Sequence, residues 1–301
     1  MFASNFLRSP LAVVCHDAGA ANLIIGWLKK SSGLQLRAHM QGPALQLWQT
    51  AFPDLPVVSL DRALQGAKQL LSGTGWASLL EHEARVRART LGMPVIAAVD
   101  HWVNYRERFS REGVEVLPDE VWISDDEAYA EATRCFPNLT LRQFPNEYLV
   151  DQLAQVLVFD SQRTEGKSKR VLYALEPIRQ RWSGSDMRPG EFQALDYFLS
   201  RLDSLGLCAR TQIRLRPHPS DAQGKYDTWI QSRNEQYDVG LAASGEPLAQ
   251  VVSWSDYIAG CESFVLIIGL AAGKTTVSTL PPWGHACRLP QARLIHLSLL
   301  P

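Results

Sequence analysis

The chain has 301 residues, too many for one small core and about right for two α/β domains. Hydrophobic residues make up 46% and charged residues 20%, which excludes a mainly disordered chain. With 30 basic residues against 31 acidic ones and no block of five like charges, nothing in the bulk electrostatics asks for a nucleic-acid partner.

Residues 1–10 carry one arginine and no long apolar run, which is not the pattern of a secretory signal. Residues 11–15 (LAVVC) read as a short strand, 16–22 (HDAGAAN) as a small-residue turn and 23–30 as a helix. Further strands are expected at 36–40 and 57–59. Residues 79–90 read as a helix on which Arg85, Arg87 and Arg89 form a solvated face. The wholly apolar 94–99 (PVIAAV) fits a strand buried on both faces of a parallel sheet. Residues 120–124 give another strand, and 125–135 a helix with Asp and Glu in its first turn. An amphipathic helix at 148–159 precedes a polar, aperiodic stretch, 162–169, that reads as a linker. The pattern then restarts, with strands at 170–175, 212–216, 237–241, 254–259 and 275–278. Helices are expected within 189–205 and at 226–234, 247–252 and 263–272.

This alternation predicts an α/β chain of two Rossmann-like β/α/β domains, 1–160 and 170–301, facing a cleft. Five cysteines, an odd number without a C-x-x-C, exclude a disulfide framework or a cysteine zinc site. They read as reduced thiols of a cytoplasmic protein. No run of 18 apolar residues occurs, so any membrane association is expected to be peripheral. Trp27, Trp48, Trp76 and Trp102 are expected in the core or the cleft.

Ligands of such folds sit beyond the carboxyl ends of the strands, so the post-strand residues are the candidates. Several are charged although the strands before them are apolar, and such charges are costly unless paired or used. Asp100 ends PVIAAV and could take a proton from an acceptor hydroxyl or attack an anomeric carbon; a helix N-cap is its plainer role. His101, Asn104, Tyr105 and Arg108 follow at helical spacing and could line the same cleft. His16, Asp17 and Gly19 lie in the small-residue turn, whose backbone could approach a ligand, or which simply packs tightly. That turn lacks the G-x-G-x-x-G spacing of a dinucleotide fingerprint. In Arg216-Pro217-His218-Pro219 two prolines fix the backbone and aim an imidazole that can bind or protonate a phosphate; the alternative is a rigid surface turn. Glu176, Glu262, Ser263, Thr275, Thr276 and Ser278 complete the set for nucleotide contacts, although Ser263 also suits an ordinary N-cap. The stretch from Gly269 to Thr275 imitates a P-loop but has three residues between its glycines where four are needed.

On these residues the second half resembles the donor half of GT-B glycosyltransferases. The His218-Pro219 pair before a Ser/Thr-rich stretch is similar to bacterial transferases of CMP-activated sugars such as sialic acid, Kdo and other nonulosonic acids. The resemblance implies that His218, Thr275, Thr276 and Ser278 contact the CMP phosphate, and that the base or nucleophile lies in the N-terminal half, at Asp100. The family's acidic pair followed by glycine is missing, since Asp125-Asp126 is followed by Glu127. The expected partners are a nucleotide-sugar donor and a glycan or glycolipid acceptor, with no cofactor and, as no D-x-D string occurs, no metal. A UDP-sugar transferase, a UDP-sugar epimerase and a non-catalytic sugar-nucleotide-binding module are the alternatives.

Overall fold

The computed structural model describes residues 3–75, 78–162, 168–182 and 186–301. Trp76 and residues 163–167 of the expected linker lie outside these. The chain divides into two compact units, Met1–Val150 and Asp151–Pro301.

The first unit runs β1 (Leu11–Cys15), α1 (Ala18–Lys29), β2 (Leu36–Met40), α2 (Gly42–Ala51), α3 (Leu60–Leu64), β3 (Gln69–Ser72), α4 (Leu80–Thr90) and β4 (Val95–Ala98). A two-stranded hairpin, β5 (Ser110–Arg111) and β6 (Val114–Glu115), precedes β7 (Glu120–Ile123), α5 (Asp126–Cys135) and β8 (Thr140–Gln143). Helix α6 (Glu147–Asp160) follows. The main sheet is parallel, in the order β2-β1-β3-β4-β7-β8. Alternation along β1 explains its double burial. Leu11, Val13 and Cys15 enter a cluster with Trp27 and Trp48, while Ala12 and Val14 enter another with Leu80, Ala84 and Ala88. Trp27, Trp122 and Phe144 anchor the first cluster, with Trp122 and Phe144 ring centroids 4.6 Å apart. Truncating a side chain such as Trp122 would cost about 3–5 kcal/mol.

The second unit runs β9 (Arg170–Ala174), α7 (Gly190–Ser200), β10 (Gln212–Arg216), α8 (Asp227–Arg233), β11 (Val239–Leu241) and α9 (Leu248–Trp254). It continues with β12 (Tyr257–Gly260), α10 (Phe264–Ala271), β13 (Thr275–Ser278) and β14 (Ile295–His296). Its sheet is parallel as well, in the order β11-β10-β9-β12-β13-β14. In both sheets the order reverses beside the first strand, between β1 and β3 and between β9 and β12. Among the described residues no helix is long and apolar enough to cross a membrane.

Several expectations need correction. Helix α1 begins at Ala18, so most of the small-residue turn is its first turn. Val57 makes only an isolated bridge to Ala38, not a strand. The strand expected at 254–259 starts at Tyr257, because Trp254 still ends α9 and the Ser255 N–H bonds back to Val251 and Val252. The long helix expected in 189–205 stops at Ser200, with a separate 3₁₀ turn at Asp203–Leu205. Arg85 is not solvated: it is 1% exposed, donating to the Gly73 and Arg108 carbonyls and lying over Phe109. Burial pushes its pKa down to about 10.

Candidate functional site

In the first unit the strand ends at the reversal point hold His16 and Asp17, and β4 delivers Asp100. The His16 Nδ1 and an Asp17 carboxylate oxygen are 2.7 Å apart. The His16 N–H donates at 2.8 Å to Glu81, a carboxylate from α4 that is 1% exposed and whose pKa burial raises. Asp100 accepts at 3.1 Å from Arg108, whose guanidinium is itself buried and also donates to the Thr74 carbonyl and hydroxyl. The pair compensates the charge of Asp100 and fixes its direction. Its other oxygen lies over Gly19 in the first turn of α1, where any Cβ would collide with it. The His16 ring lies over Gly42 at the start of α2, less closely but still within the reach of a Cβ. His16, Asp17, Gly19, Asp100 and Arg108 thus gather at one edge of the first sheet. They offer a carboxylate able to accept a proton, beside an imidazole–carboxylate pair.

The other expected members of this group have different places. The residues after Asp100 are not helical: Asn104 has φ 61°, a left-handed conformation that breaks the register, and only Glu107–Phe109 forms a 3₁₀ turn. Tyr105 is 1% exposed, donates to the Ala128 carbonyl and stacks on Phe136, so it belongs to the core. His101 packs edge-on against Trp102, whose indole N–H donates to both oxygens of Asp125. Asp125 in turn caps α5 through the Ala128 N–H.

In the second unit the Arg216–Pro219 turn beyond β10 and the 241–246 loop beyond β11 enclose a cavity of about 580 Å³. Arg216, His218 and Pro219 line it together with Lys225 and Tyr226. The turn is held by Asp221, which accepts from the His218 N–H at 3.1 Å, from Lys225 at 2.6 Å and from the Tyr226 hydroxyl at 3.0 Å. Burial alone would raise the Asp221 carboxyl, but the Lys225 and Tyr226 hydrogen bonds hold it below its usual range. The His218 imidazole meets Ser220 at 2.8 Å. Local desolvation, then the charges of Lys225 and Arg179, hold its pKa below the usual value against the pull of Asp221.

At the reversal point of this sheet Glu176 accepts from the Glu262 N–H at 2.6 Å. Ser263 caps α10 through the Val265 N–H. The Glu262 carboxylate is taken by Arg288 at 2.7 Å and His285 at 3.1 Å. Ser278 reaches the same edge but donates its hydroxyl to the Cys261 carbonyl. Thr275 and Thr276 do not join this group. They open β13 and therefore stand at the opposite end of the strand from Ser278, about 7–10 Å away along the chain. Thr276 is buried, donating to the Lys274 carbonyl. The P-loop imitation is the end of α10: Gly269 is inside that helix and Gly273, at φ 72°, follows its last turn, so no helix N-terminus faces a phosphate there.

No protein-family model and no curated protein matches the sequence. Solved structures do match the fold. UDP-GlcNAc 2-epimerase from Neisseria meningitidis superposes with a TM-score of 0.58 at 10% identity, over 89% of this chain and 82% of that one. MnaA of S. aureus, in a structure with UDP, gives 0.61 at 10% identity, over 90% and 79%. MurG of Acinetobacter baumannii gives 0.52 at 11% identity, over 89% and 78%. The chain has the GT-B fold.

In a GT-B chain the two reversal points are where ligands are expected, and both carry ionisable groups here. Sequence reasoning missed Glu81, Asp221 and Lys225, the groups that brace His16 and the Arg216–Pro219 turn. Asp221 and Lys225 carried a signal, being an i,i+4 acid–base pair directly after the turn. Glu81 carried none, since an acidic residue in the first turn of a helix is ordinary.

Proposed function

We propose that this chain acts on a nucleotide-activated sugar and transfers the sugar to a glycan or glycolipid acceptor. The cavity bounded by Arg216, His218 and Pro219 carries this reading, because it lies beyond the strand ends where a GT-B domain takes its ligand and offers cationic donors there. In this reading the C-terminal unit holds the nucleotide. His218 hydrogen-bonds the phosphate oxygen that leaves with the electron pair of the broken glycosidic bond. Asp100, held by Arg108, takes the proton of the acceptor hydroxyl as its oxygen attacks the anomeric carbon. The sequence resemblance favours a cytidine monophosphate donor, whereas the names of the structural neighbours favour a uridine diphosphate one. Those names also support a second reading, a UDP-sugar epimerase, which needs no acceptor.

A thermal-shift series with CMP, UDP and ATP, with and without magnesium, tests the binding. A nucleotide at 100 times its Kd adds about 2.7 kcal/mol of stability. Asp100→Asn is expected to keep that nucleotide response and lose turnover of the matching sugar nucleotide. No response to any nucleotide, or full turnover in the variant, would overturn the reading. Turnover without acceptor and without release of nucleotide would select the epimerase.

A further inference from the structure

The two sides of the carboxyl edge of the second sheet differ in what their polar groups are already committed to. At the β9/β12 reversal the amide donors before α10 are already in use. Glu176 accepts from the Glu262 N–H, and hydrogen bonds from the Ser263 and Cys261 amides also act on its carboxyl. Glu262 faces it, already ion-paired with Arg288; Tyr173, Cys261, Cys287 and Arg288 complete its ionisable surroundings. An anionic ligand placed there meets two carboxylates and must displace one of them.

On the β9/β10 side both signs occur, since Arg216, His218 and Lys225 line the cavity together with Asp221, Asp227 and Glu246. Lys225 is held by Glu191 and Asp221, and Arg216 donates to the Glu246 carbonyl. Arg179 differs from both. It is exposed and makes no ion pair or side-chain hydrogen bond among the described residues. Its loop leaves β9 at the level where the turn carrying His218 leaves β10, since Ala174 and Arg216 are register partners. Its charge is felt at both His218 and Glu191. An exposed guanidinium on the loop next to the turn whose imidazole lines a cavity of about 580 Å³ is an arrangement for binding an oxyanion.

We propose that Arg179 and His218 clamp the phosphate of the bound nucleotide, and that the N-terminus of α10, filled by Glu176, does not. This rests on the nucleotide-binding reading of the cavity. It adds a residue that no motif marks and moves the phosphate to the β9/β10 side.

Calorimetric titration at pH 7 with UMP, CMP, uridine and cytidine tests it, on the parent protein, Arg179→Ala and Glu176→Gln. Arg179→Ala is expected to weaken the monophosphate that binds by roughly tenfold or more, and to leave the matching nucleoside unchanged. Glu176→Gln, which removes the charge but keeps an acceptor for the amide, is expected to change neither. If Glu176→Gln tightens the monophosphate while Arg179→Ala leaves it alone, the phosphate belongs at α10 and the proposal is wrong. If the monophosphate binds but Arg179→Ala weakens nucleoside and monophosphate equally, the phosphate clamp is again wrong. A parent protein that binds none of the four overturns the nucleotide reading and this proposal together.

Discussion

Glu176 shows how one residue can work against the stability of its own fold. Burial pushes its carboxyl from an ordinary 4.5 up to about 7. The folded value lies above the unfolded one. Stability is therefore fully present below about pH 4.5 and is lost as the pH rises through 7. Glu176→Gln is accordingly expected to exceed the parent in stability at pH 8 by up to roughly 3 kcal/mol, with the gap closing near pH 4.5. Urea denaturation at the two pH values measures it, and a gap that does not depend on pH would refute the account. At this scale the sequence told where Asp100 and His218 stand, each just beyond the end of a strand. Thr275 and Thr276 were grouped with Ser278 by motif although the expected strand at 275–278 already set them at its other end. Arg85 was misread for a different reason: helical spacing tells which residues share a face, not that a cationic face can be buried over carbonyls and an aromatic ring.

At the scale of elements, the contact between α1 and the end of β4 is the tightest constraint on the first site. Gly19→Ala would raise the helix propensity of an isolated α1 by about 1 kcal/mol. Here the new methyl meets the Asp100 carboxylate, which is itself held by Arg108. The variant is expected to be less stable than the parent in urea denaturation; a gain near the propensity value would show that Asp100 has room to move. The elements that the sequence revealed were those with clear apolar patterning, such as β1, β4, β9 and α10. Those it hid were short or polar. β3 begins with Gln69, buried because its amide oxygen accepts from the Arg8 N–H and its NH₂ donates to the Phe6 carbonyl. β8 is an edge strand with half-exposed residues, and β14 has two residues. α2 carries Pro43 in its first turn, where proline suits a helix but where a reader of the sequence sees a turn.

At the scale of the molecule, the two halves repeat one plan: a first strand with a neighbour on each side, a reversal of strand order, and ionisable residues at that reversal. The two-domain plan was legible because β/α alternation restarts after residue 170. The proposed placement of the phosphate was not, because it depends on which donors the fold has already satisfied.

The repeat also leaves a thiol at the heart of each half. Cys15 ends β1 and Cys261 directly follows β12; both are nearly inaccessible, and burial pushes both thiols well above their usual pKa. Cys208 is exposed, and Cys135 and Cys287 are partly covered. Alkylation by a small maleimide should therefore modify Cys208 at once and reach Cys15 and Cys261 only when their own halves open. Peptide mass mapping over time would then give two separate opening rates from one unmodified protein, one for each half. Equal rates at every denaturant concentration would mean that the halves come apart as a single cooperative unit.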